Sequence, residues 1–124
     1  MNDYLKKAQN YFILGKLAEK ANMYSESASN YFKALSAAND FMLNKINLKA
    51  KDHSERFFLL KQNFPELYEI TDKMFLVYRR TYTSEISKEE LKIIRKNIEL
   101  VFKDANIQIP DDKEIKKTAE KAFK

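Results

Sequence analysis

Apolar and small residues return at every third or fourth position along most of this chain, separated by lysine, glutamate, asparagine and serine. From Tyr4 to about Ala21 the face is Leu5, Ala8, Tyr11, Phe12, Gly15, Ala18 and Ala21, the spacing of a first amphipathic helix. After "NMYS", where Ser25 is placed to cap and Tyr24 to pack outside it, Ala28, Tyr31, Phe32, Leu35, Ala38, Met42 and Ile46 carry a long second helix to about Leu48. The charged stretch "NLKAKDHS" interrupts the pattern. Asp52 or Ser54 then caps a short third helix bearing Phe57, Phe58, Leu60 and Phe64. Pro65 fits the first turn of a helix, where its missing N–H has no partner to lose, so a fourth helix begins there. Its stripe is Leu67, Ile70, Met74, Val77 and Tyr78, extending towards Tyr82. "SKEE" sets Ser87 three residues before Glu90, a capping box ahead of Leu91, Ile94, Ile98, Val101 and Phe102. Pro110 disfavours a helical Ile109 and closes this fifth helix. Residues 111–124 read as a weak C-terminal helix, acidic at its start, with Ile115, Ala119 and Phe123 as its whole apolar stripe.

Composition sharpens the class. One glycine and two prolines in 124 residues cannot furnish the turns of a sandwich or barrel, so the fold is expected to be all-α. The length suits a single helical domain, residues 1–124, built as an antiparallel up-and-down bundle of four to five helices with its core over about 4–105. With no cysteine, disulfides, thiolate metal sites and cysteine nucleophiles are excluded. The opening "MNDYLKKAQNYF" has no signal-like apolar run, and nowhere do about 18 apolar residues run together, so a soluble, cytoplasmic protein with no membrane association is expected. The net charge of +5 favours polyanions or an acidic partner, although lysine-rich surfaces also serve solubility.

Chemistry-bearing motifs are few. Gly15 is the only glycine, so there is no glycine-rich phosphate loop and no Gly-x-Ser-x-Gly turn. The carboxylates of "PDDKE" and "SKEE" sit where helix starts favour negative charge and come with no histidine, so neither a metal site nor a cofactor is expected. Two features remain. "YRRTY" places Arg79 and Arg80 between Tyr78 and Tyr82 at a helix end, where cations favour the dipole; an arginine plane and a tyrosine face also hold a nucleotide by phosphate pairing and base stacking. His53 is the only side chain suited to acid–base work near neutral pH, and Lys45, Lys49, Lys51 and Arg56 extend a basic surface if the bundle gathers its ends.

Two resemblances bear on these residues. Tyr11, Leu14, Gly15, Ala18, Ala28 and Phe32 resemble a tetratricopeptide unit, which implies a protein-interaction scaffold, yet one period later Lys45, Lys49, Gln62 and Glu66 occupy positions that should be apolar or small. The second covers about Tyr4 to Phe102: the small-and-aromatic helix "SASNYFKALSAANDFML", the histidine segment "KDHSERFFLL", "FPELYEITDKMFLVYRRTY", and a last capped helix. In that order they resemble the HEPN superfamily, small helical bundles that serve as nucleotide-binding partners of minimal nucleotidyltransferases or as RNA-cleaving toxins. The resemblance implies a homodimer and a site at His53, Tyr78, Arg79, Arg80 and Tyr82. In the nuclease branch an arginine is followed after four to six residues by histidine, whereas here those positions hold Ser84, Glu85, Ile86 and Ser87. Arginine stays protonated and cannot move the proton that RNA cleavage requires. The expectation is therefore a non-catalytic module binding nucleotide, RNA or a nucleotidyltransferase-like partner; the alternative is a metal-independent ribonuclease of a toxin–antitoxin pair, with a displaced site of Arg79, Arg80 and His53.

Overall fold

A computed structural model describes residues 3–122; Phe123, the last member of the tail stripe, lies outside them. Six α-helices follow one another, with no strand among the described residues: α1 (Asp3–Lys20), α2 (Tyr24–Lys45), α3 (His53–Asn63), α4 (Pro65–Arg80), α5 (Lys88–Asp104) and α6 (Asp112–Ala122). The all-α expectation holds. The weak tail is a sixth helix that docks: Ile115 is buried, α6 packs on α1, and Gln9 donates to the carbonyl of Gln108 in the connection leading to it.

Helix ends explain how a chain with one glycine turns so often. Asn22, Asn47 and Asn106 adopt φ of 61°, 62° and 58°, the left-handed conformation that asparagine tolerates better than other residues with a Cβ. Each closes a Schellman turn: Met23, Leu48 and Ile107 donate their N–H back to the carbonyls of Ala18, Leu43 and Phe102. Two sequence expectations change for this reason. Ser25 does not cap α2, because the turn at Asn22 feeds directly into the helix, whose N-cap is Met23 without a side-chain bond. Nor does Pro110 stop α5; Asn106 has already ended it. The other punctuation matches: Asp52 accepts from Glu55 N, Pro65 opens α4, and the Ser87–Glu90 capping box is closed in both directions.

Packing is organised around α2, on which α1, α3, α4 and α5 all lie. Side-chain pairs fix directions. Phe12 meets Phe102 and Glu19 meets Arg95, so α1 and α5 are antiparallel; Asn39 meets Thr71 and Phe32 meets Tyr78, so α2 and α4 are antiparallel. Gly15 permits a close approach of α1 to α2, since a Cβ there would stand 2.6 Å from the ring of Tyr31. Around it, Ser27 donates to the Gly15 carbonyl at 2.6 Å, and Tyr31 donates to Glu19 at 2.7 Å. Burial, reinforced by that bond to Glu19, holds the Tyr31 phenol protonated far above its ordinary range. Buried Asn39 donates to Thr71 Oγ1, which itself donates to the carbonyl of Leu67, tying α2 to α4 in one register. Not every aromatic is core: Phe57 and Phe75 are half-buried, but Phe58 and Tyr82 stand largely in solvent.

Candidate functional site

No close backbone contact joins α1 to α3 or α4, so a groove remains above α2. A cleft of about 240 Å³ opens there. Its floor is the α2 stripe Phe32, Lys33, Ser36, Ala37 and Asp40; α1 contributes Lys7 and Tyr11, α3 contributes His53 and Arg56, and α4 contributes Tyr78. Three cations thus surround one carboxylate and an aromatic wall.

Arg56 organises the polar end. Its Nε and Nη2 donate to Asp40 Oδ1 and Oδ2 at 2.8 and 2.9 Å, a bidentate pair whose side chains are only 14% and 15% exposed. Its Nη1 lies 2.7 Å from His53 Nδ1. A guanidinium has only donors, so Nδ1 must offer its lone pair and the ring hydrogen must sit on Nε2. Burial, then the charge of Arg56, lower the His53 pKa from its ordinary 6.5, against the opposing pull of Asp40 and Asp52. His53 is therefore neutral, with one nitrogen engaged and the other a hydrogen-bond donor. That is a ligand-orienting group and a poor general base.

The aromatic wall runs from His53 over Phe32 and Phe75 to Tyr78, whose ring stacks on Phe32 with centroids 4.6 Å apart. The Tyr78 and Tyr82 hydroxyls meet at 2.8 Å, and that bond, followed by burial, raises the Tyr78 pKa. Ser36 adds an unusual feature, for its buried Oγ has no hydrogen-bond partner among the described residues.

Of the residues singled out in the sequence, the structure brings His53 and Tyr78 into one cleft. Tyr82 touches Tyr78 but lines a neighbouring hollow with Thr81, Ser25, Ser29 and Asn30. Arg79 and Arg80 are exposed beyond the cleft, and Arg80 is held 2.9 Å from Glu90, the partner of Ser87 in the α5 capping box. Backbone donation from Ser87, followed by this arginine, lowers the Glu90 pKa. Lys45 and Lys51 make other contacts, to the Ala105 carbonyl and to Glu55, and only Arg56 of the proposed basic extension enters the cleft. The sequence reading did not reach Lys7, Lys33 and Asp40. A signal for two of them exists: between Tyr24 and Asn44 the only charged residues are Glu26, Lys33 and Asp40, seven apart, hence on one line along α2.

Among the described residues no group of three or more histidines and carboxylates could hold a metal ion, and no helix is long and apolar enough to cross a membrane. Comparison with protein-family models, with curated proteins and with solved structures finds no match to this chain.

Proposed function

We propose that this chain is a non-catalytic, HEPN-like binding module whose cleft between α1 and the α3–α4 pair holds the phosphate and base of a nucleotide or RNA segment, alone or presented to a nucleotidyltransferase-like partner. The observation that carries the reading is the conjunction of Lys7, Lys33 and Arg56 around the Phe32–Tyr78 stack, with His53 fixed as an Nε2–H donor beside them. Phosphate oxygens accept from the two lysines and from His53, while a base packs on the exposed part of the tyrosine wall. Arg79 and Arg80 stand outside as a cationic rim that attracts the ligand from a distance. Two copies paired through helix faces complete the proposal; exposed Ile93 and Leu100, one above the other on α5, support it.

Fluorescence anisotropy with a labelled single-stranded oligoribonucleotide, competed with ATP, tests the binding. The charge reversal Lys7→Glu with Lys33→Glu is expected to weaken binding at least roughly tenfold and to flatten its salt dependence by about two counterions, without loss of helicity. Replacing Arg79 and Arg80 by alanine is expected to cost less. Binding that survives the lysine reversal removes the cleft from the account. RNA that is cut in the presence of chelator, with cutting lost on His53→Ala, establishes the ribonuclease instead.

A further inference from the structure

A second cavity, of about 360 Å³, lies away from the histidine cleft at the end of the bundle where α2, α4 and α5 meet. Its walls are apolar: Met42 from α2, Phe64, Leu67 and Ile70 around the start of α4, and Val101 and Ala105 at the end of α5. Val101 and Ala105 are buried and form its base. The volume falls in the range of about 300–1,000 Å³ typical of small-molecule sites.

The mouth has the opposite character to the protein as a whole. In a chain of net charge +5, the charged groups lining this cavity are both carboxylates, Glu66 and Asp104, and among the described residues neither forms an ion pair. Glu66 has a local reason, since the first turn of α4 favours negative charge. Asp104 has none. As the last residue of α5 it adds a carboxylate to the helix end already crowded with carbonyl oxygens, a position where cations are favoured. Lys45, which reaches this end of α5, is engaged elsewhere, 3.5 Å from the Ala105 carbonyl and over the ring of Phe41. An apolar base, two unpaired carboxylates at the rim and the negative end of a helix define one class of guest.

We propose that this cavity binds a small amphipathic cation, an aliphatic or aromatic primary amine whose hydrocarbon part fills the apolar base and whose ammonium sits between Glu66 and Asp104. The site is independent of the histidine cleft and of the reading given to it. Titration of the ¹³C-methyl signals of Met42, Leu67, Ile70 and Val101 with phenethylamine, its isosteric alcohol and its isosteric carboxylate tests the class. The amine is expected to bind saturably and about fivefold tighter than the alcohol, the margin of two solvent-exposed ion pairs, with the carboxylate weakest. Glu66→Gln with Asp104→Asn is expected to abolish the preference for amine while leaving alcohol binding in place, and Ala105→Phe to remove both. Equal binding of amine and alcohol to the unaltered protein, or shifts that do not saturate, overturns the proposal. So does a cavity that no probe enters and whose Ile70→Glu variant changes the sedimentation coefficient, because the occupant is then a second copy of the chain.

Discussion

Replacing Arg56 by methionine keeps an unbranched apolar stem along the cleft but strands Asp40, whose carboxylate is 15% exposed and accepts two of the arginine's hydrogen bonds. Breaking a fully buried pair costs about 3–5 kcal/mol, and the residual exposure of this one lowers the expectation to about 2–3 kcal/mol. For a domain of this size that is a fall in Tm of about 8–12 °C. Loss of stability alone would not identify the network, but the single histidine supplies a reporter with a sign. Burial and the Arg56 charge lower its pKa, whereas Asp40 raises it. In Arg56→Met the pKa therefore moves up; in Asp40→Asn it moves further down. One-histidine NMR titration reads both without assignment. The same lowering fixes the pH dependence: between the depressed folded value and 6.5 the unfolded chain binds more protons, so stability rises with pH through that window and is lost on acidification. That slope shrinks in Arg56→Met. If both variants shift the histidine in the same direction, or Arg56→Met costs less than about 1 kcal/mol, the network described here does not exist in solution.

Three further outcomes test the frame that holds the cleft. Asn47 sits at φ 62°, so Asn47→Gly is expected to stabilise by up to about 1 kcal/mol and Asn47→Val to destabilise by at least as much in urea titrations. Gly15→Ala gains helix propensity but drives a methyl to 2.6 Å from the Tyr31 ring, and a net loss of about 1–3 kcal/mol with an altered near-ultraviolet tyrosine signal is expected. If two copies pair through α5, Ile93→Glu with Leu100→Glu yields a monomer in sedimentation equilibrium at concentrations where the parent chain associates; a parent that is monomeric throughout removes the pairing from the proposal.

The helices were legible because each is written locally. Apolar spacing, the Asp52 cap, Pro65 and the Ser87–Glu90 box all act within about four residues, and the structure reproduces them. Misreadings occurred where two local signals competed. Ser25 and Pro110 are acceptable punctuation, but Asn22 and Asn106 had already turned the chain, and a left-handed asparagine carries no pattern longer than itself. Among the described residues of α6 only Ile115 is fully buried, and a stripe that weak does not distinguish a docked helix from a frayed end.

The cleft was harder to see for a different physical reason. "YRRTY" is conspicuous in sequence because its charges and rings are adjacent, yet adjacency in a helix spreads side chains around the axis, and the structure sends Arg80 to Glu90 while Tyr78 turns to Phe32. Conversely, Asp40 and Arg56 are sixteen residues apart and meet only because α3 returns alongside α2. What links the two views is α2 itself. Ala28, Ala34, Leu35, Ala37, Ala38 and Leu43 bury nearly its whole circumference, as befits a helix with four neighbours. The small residues among them let those neighbours come close. The line Glu26, Lys33, Asp40 is the interruption: α2 carries no other charge between Tyr24 and Asn44, and Lys33 and Asp40 of that line face the groove its neighbours fail to close. The charged line of α2 thus marks the cleft through Lys33 and Asp40, and the rest of its chemistry comes from residues that α1, α3 and α4 carry to that line.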